Sequence, residues 1–149
     1  MNDLLLTAAH HLLAFAIVVV LSAEVALVRE GLTARTVRVA GLLDASYGAL
    51  AALILVVGFL RVFYGLKVPE FYLQNPLFWA KIGAFGAVGL LSVPPTIQIL
   101  RWRRRLKFDQ SYLPPAGDIR HVRLYFFAEA IVFIPIPVLA AAMGRGYGL

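Results

Sequence analysis

The stretch LLLTAAHHLLAFAIVVVLSAEVALV, residues 4–28, decides what kind of chain this is. It is almost wholly apolar and longer than the ~20 residues a helix needs to cross a bilayer. It still carries His10, His11 and Glu24. Ionisable side chains inside such a span are costly, and they mark bundle-facing or functional positions. At helical spacing His10, Ala14, Ile17, Leu21 and Glu24 fall on one stripe. His11 points about 100° away. His10 and Glu24 are therefore expected to face the same neighbours at opposite depths.

Working outward, three more spans follow, at 39–63, 76–100 and 124–143. The bulk composition agrees, with 61% hydrophobic and 15% charged residues. An ordinary soluble domain is about half apolar and a quarter charged. A soluble helical bundle would also show a polar face on each helix, and these helices show none. The expected fold is all-α: a polytopic membrane protein, one transmembrane domain over 1–149, folded as an antiparallel four-helix bundle. Each span is read as a helix because lipid offers the backbone no hydrogen-bond partners. The N-terminus has no basic n-region and its apolar run is long enough to span, so it is read as a membrane helix, not a cleaved signal. Asn75-Pro76 is a good N-cap and first-turn pair for the third span. Asp118 is the expected N-cap before the fourth. Pro94-Pro95, Pro135 and Pro137 are expected to kink or end helices. Gly83, Gly86 and Gly89, at intervals of three, suit either close helix approach or room for a flat ligand.

Charge sets the expected orientation. The net charge is +6. The cations sit in short connections between apolar spans, which reads as topology and not as a nucleic-acid surface. Loops 29–38 and 101–123 hold ten Lys and Arg, including the run RWRRR at 101–105. The opposite side holds Lys67 and Arg145, with Arg61 and Lys81 just inside the membrane. The positive-inside rule then makes the arginine-rich loops cytoplasmic and both termini periplasmic, in a bacterial inner membrane. The connection YGLKVPEFYLQN (64–75) lies between aromatic flanks and reads first as a headgroup-level belt, and second as a lid over a site between the helices.

Depth sorts the ionisable groups into two layers. At 1.5 Å per residue, His10 lies about 9 Å, Lys81 about 8 Å and Arg61 about 3 Å inside the terminal end of their spans. These three can share a layer. Glu24, Asp44 and Glu129 lie about 6–8 Å from the opposite end. The plain reading pairs these acids with Arg29, Arg38, Arg120 or Arg123 snorkelling inward. Glu129 is the acid most suspected of carrying a proton, since an unpaired buried carboxylate costs several kcal/mol. In the outer layer, neutral imidazole is a common iron ligand. Lys81 and Arg61 would hold an anionic group, such as a porphyrin carboxylate or a phospholipid head. His121, in RHVR, reads as an interfacial residue. The chain has no cysteine, hence no disulfide, thiolate or iron–sulfur chemistry. No HExxH, GxSxG, P-loop or GxGxxG motif is present.

The segments HHLLAFAIVVVLSAE (10–24), GFLRVFYGLK (58–67), NPLFWAKIGAF (75–85), LLSVPPTIQILRWRR (90–104) and IPVLAAAMGRGYG (136–148) resemble a bacterial family of four-helix membrane proteins of unknown function. The likeness covers nearly the whole chain. A more distant resemblance is to the haem-dependent protoporphyrinogen oxidase of the HemJ type. That family has a histidine early in its first span, a lysine early in its third, and arginine, glutamate and proline entering its fourth. His10 or His11, Lys81, and Arg123, Glu129 and Pro135 match those positions. The Leu-Pro-Arg motif after that family's first span is absent here, where ALVREGL (26–32) stands, and Glu129 and Pro135 are further apart than in its Asn-Glu-x-Pro pattern.

The resemblance implies haem b with His10 (or His11) as iron ligand and Lys81 as a porphyrin-carboxylate or catalytic partner. On the reading of the residues, Arg61 would join Lys81 on the propionates, and Glu129 is the second catalytic candidate, as a proton-handling group. With one axial histidine per chain, a six-coordinate iron would need a homo-oligomer or another ligand. Two other functions fit the same residues: a small proton-coupled transporter using Glu129 or Glu24, and an accessory subunit of a larger membrane complex.

Overall fold

A computed structural model describes residues 2–148. Its helices are α1 (Asn2–Leu27), α2 (Ala34–Tyr64), α3 (Pro69–Leu73), α4 (Pro76–Phe108), α5 (Ala116–Phe133) and α6 (Pro135–Gly144). Helices α1, α2, α4 and the α5–α6 run are long and apolar enough to cross a membrane. No strand occurs among the described residues. The architecture is the expected all-α bundle of four spans.

Both chain ends lie beside the 64–75 connection. The Leu66 N–H donates to Asp3 Oδ1 at 3.1 Å, and Asn75 Nδ2 donates to the Tyr147 carbonyl at 3.0 Å. This is the terminal end of the bundle; the opposite end is rich in arginine. Asn75 is fully buried and also caps α4, its Oδ1 accepting from Leu77 N–H at 2.9 Å. One side chain thus satisfies an orphan helix donor and ties down the C-terminal tail. Asn75→Ala is expected to cost about 1–3 kcal/mol, the sum of a lost cap and a lost hydrogen bond to the tail. Thermal unfolding in detergent, compared with wild type, measures this, and an unchanged midpoint would contradict the assigned role.

The helices run further than their apolar cores. Helix α2 starts at Ala34, five residues ahead of the expected 39, because Thr33 and Thr36 form a reciprocal capping box. Helix α4 passes through Pro94 and Pro95 unbroken and continues to Phe108. Its RWRRR segment is therefore helix and not loop. Ile99, Trp102 and Leu106 carry a buried apolar stripe into this overhang, which gives the extra turns a packing surface. Helix α5 begins at Ala116 instead of 124, with Pro115 at its N-cap and no side-chain cap. Asp118, the expected cap, accepts from Gln98 Nε2 at 2.7 Å instead.

Two arginines knit the arginine-rich end. Arg123 Nη1 donates to the Val25 and Val28 carbonyls at 3.1 and 2.6 Å, covering the open C-terminus of α1. Arg103 reaches the Gly41 carbonyl, and a Cβ at Gly41 would collide with the Arg103 side chain. Beyond α4, the two Ser111 hydrogen bonds to Asp109 hold that carboxyl below its usual range.

The fourth span breaks where proline was expected to break it. Helix α5 ends at Phe133 and α6 restarts at Pro135. Helix α5 lies close to both α1 and α4, whereas no Cα of α6 comes within 8 Å of α1 or α2, and only side chains such as Met143, clustered with Val62 and Phe78, bridge that gap. The bundle is consequently closed at one end and parted at the other.

Candidate functional site

The parting forms a cavity of about 500 Å³ at the terminal end, within the range of small-molecule sites. His10 and His11 of α1, Arg61 of α2 and Lys81 of α4 all line it, so the residues expected to share a layer do so. The remaining wall is apolar and aromatic, with Phe85, Phe133 and Ile136 among its members.

His10 is half-buried and its ring rests against Gly58, where a Cβ would stand 3.5 Å from Cε1. Its Nδ1 is enclosed with no hydrogen-bond partner. Arg61 and Lys81 are its charged neighbours. Arg61 Nε is likewise enclosed and unpartnered. Lys81 Nζ lies 5.4 Å from the Phe78 ring centroid, a distance that suits a cation–π contact. His11 is exposed on the rim, its ring 6.4 Å from that of His10 and inclined at 76°.

The 64–75 connection divides between its two readings. Phe63, Tyr64 and Trp79 are exposed, as a belt requires. Phe71 and Tyr72 instead line the cavity from α3, so this segment also covers the site. Lys67 joins the lining and sits 3.5 Å over the Phe71 ring. Sequence reading counted Lys67 only as a topology charge; the Lys67–Phe71 spacing ahead of Asn75 was the signal for a structured cover. Three cations therefore line the cavity. Among the described residues that line it there is no Asp or Glu.

Glu129 does not line the cavity. It lies with Glu24 and Tyr47, apart from Lys81, so the structure does not join the two catalytic candidates in one site. The arginine pairing expected for the inner acids is also replaced. Arg123 is committed to the α1 carbonyls, and Glu24 Oε1 and both Glu129 oxygens are enclosed, with the Tyr47 hydroxyl beside Glu129. Asp44 accepts from Thr96 Oγ1 at 2.6 Å. The stripe on α1 is as expected: Ile17, Leu21 and Glu24 are buried between the half-buried His10 and the α1 terminus. Gly83, Gly86 and Gly89 turn outward with open space before them, so they line no ligand site within the bundle. His121 is exposed and packs edge-on against Tyr125 at 5.1 Å.

No three His, Asp or Glu side chains come together to hold a bare metal ion among the described residues.

Residues 2–148 match the family model described as "Predicted membrane protein (DUF2214)". No curated protein and no solved structure matches the chain.

Proposed function

The chain belongs to the DUF2214 family of predicted membrane proteins, and on that footing we propose that its cavity binds a flat, apolar molecule bearing carboxylates, of the porphyrin class, with haem b as the iron-containing form. The observation that carries this reading is the lining itself: two imidazoles and three cations from different segments around an apolar space, with no acid among the described residues. Arg61 and Lys81 are half-buried beside no lining acid. Drawing such cations out of water is costly unless they are paired, and an anionic ligand would supply that partner, with the exposed Lys67 reaching it from the cover. Arg61 and Lys81, with Lys67 in the cover, would hold the carboxylates, and the aromatic wall would hold the ring. His10 would hold the iron, while His11, exposed on the rim and inclined to His10, would stay outside that contact. Bound haem supplies one-electron redox chemistry. The chain's own residues orient the ring, neutralise the propionates and exclude water.

The orientation belongs to the same proposal: an inner membrane of bacteria, the arginine-rich end in the cytoplasm, and both termini and the cavity on the periplasmic side. One observation favours a second reading, a subunit of a larger assembly. The outward glycines of α4 offer a flat face to another membrane helix.

The experiment is an absorption spectrum of detergent-purified protein, oxidised and reduced, with haem supplied during expression. A Soret band that sharpens on reduction is expected. A colourless preparation overturns the reading. A metal-free porphyrin dicarboxylate should also bind at least ~10-fold more tightly than its dimethyl ester, because charge-assisted hydrogen bonds contribute about 1.5–3 kcal/mol each.

A further inference from the structure

At the closed end of the bundle lies a second group of ionisable side chains that the cavity does not use. Glu24 of α1 and Glu129 of α5 are each 1% exposed, and Tyr47 of α2 is buried with them. The Tyr47 hydroxyl stands beside the Glu129 carboxyl, and Glu24 acts on both. Glu24 Oε1 and both Glu129 oxygens are enclosed, and the Tyr47 hydroxyl is the group placed to donate to Glu129. The nearby cations are engaged elsewhere. Arg123 bonds the α1 carbonyls, and Arg103 of α4 bonds the Gly41 carbonyl. Two facing carboxylates here would bear both the desolvation cost and their mutual repulsion. Neutral carboxylic acids bear neither.

We propose that Glu129, with Tyr47 and Glu24, forms a proton-binding site that exchanges protons with the arginine-rich end of the bundle. Asp44 is the entry. It is half-buried on α2, one turn nearer that end than Tyr47, it is held by Thr96 of α4, and it acts on both Glu24 and Glu129. On the cavity side the same face of α1 carries only Leu21, Ile17 and Ala14 before His10 is reached. That apolar stretch, about 21 Å from Glu24 to His10 along the helix, separates the two sites. Loading a site takes one proton from solvent at the arginine-rich end and converts one carboxylate to a carboxylic acid. Unloading returns it the same way. No cofactor takes part, so this inference stands or falls independently of porphyrin binding.

Dicyclohexylcarbodiimide, an apolar reagent, modifies carboxyl groups only in their protonated form. The full chain in lipid nanodiscs, treated at neutral pH, is expected to be labelled at Glu129 or Glu24, with labelling falling as pH rises. In Glu129→Gln, a neutral isostere that keeps the side chain's volume, labelling at position 129 is abolished while the protein remains folded. Infrared spectroscopy of the same samples removes any dependence on reagent access. A protonated-carboxyl C=O stretch that shifts in heavy water and is lost in Glu129→Gln or Glu24→Gln supports the proposal. The absence of any such band overturns it. Labelling that sodium ions suppress at fixed pH overturns the assignment to protons and makes the site one for a monovalent cation.

Discussion

His10→Ala is expected to yield a protein without a haem spectrum, while His11→Ala keeps it. The two residues are adjacent, but their surroundings differ. His10 is half-buried, its ring lies against Gly58, and Arg61 and Lys81 are its charged neighbours. His11 is exposed on the rim and inclined at 76° to it. Removing the axial nitrogen should weaken haem binding by more than the ~10–100-fold that loss of an outer-shell partner costs a metal site. Loss of His11 removes only a rim contact. The check is the reduced-minus-oxidised difference spectrum of each variant after purification with haem supplied. If His10→Ala keeps the wild-type spectrum, His10 is not the ligand. If both variants lose colour equally, the assignment of one histidine rather than the other fails. Supplying metal-free porphyrin to His10→Ala separates ligation from cavity integrity, since that ligand depends on Arg61, Lys81 and the apolar wall.

The four spans were readable because lipid leaves the chain few choices. An apolar run of sufficient length must satisfy its own backbone, and a helix does so. The layer of His10, Arg61 and Lys81 was readable for a related reason: rise per residue converts position into depth when helices are antiparallel. Lateral arrangement has no such ruler. Glu129 lies at a depth that sequence could count, yet its neighbours, Tyr47 and Glu24, depend on how α5 turns toward α1 and α2. The outward direction of Gly83, Gly86 and Gly89 was hidden in the same way. Helix ends were misjudged where polar residues extend an apolar core. The Thr33–Thr36 box and the Ile99, Trp102 and Leu106 stripe carry α2 and α4 beyond the membrane-like composition that marked them. Pro94-Pro95 misled in the opposite direction, since α4 continues through them.

Replacing both Pro135 and Pro137 with alanine is expected to close the cavity. Pro135 has no N–H to offer the Ile131 carbonyl, and the Ile134 N–H takes that carbonyl instead at 3.3 Å. The hydrogen-bond ladder is interrupted there, although Ile134 keeps helical dihedrals, and the backbone of α6 runs beside α4. No Cα of α6 comes within 8 Å of α1 or α2. That gap is the cavity. Each proline disfavours a continuous helix by ~3 kcal/mol, so the double substitution favours a straight α5–α6 directed along the side of α1 that α5 already contacts. Single substitution is insufficient, because Pro137 would still oppose the Phe133 carbonyl. The chain has no cysteine of its own, which makes cross-linking a clean readout. A disulfide needs Cα atoms about 4.4–6.8 Å apart. Cysteines placed at Ala14 and Ala140, both at the cavity wall, should stay unlinked in the parent and link readily with the two alanines present. Porphyrin binding should fall together with the rise in cross-linking. Unchanged binding with no cross-link would mean that packing of α6 on α4, and not the proline break, holds the bundle apart.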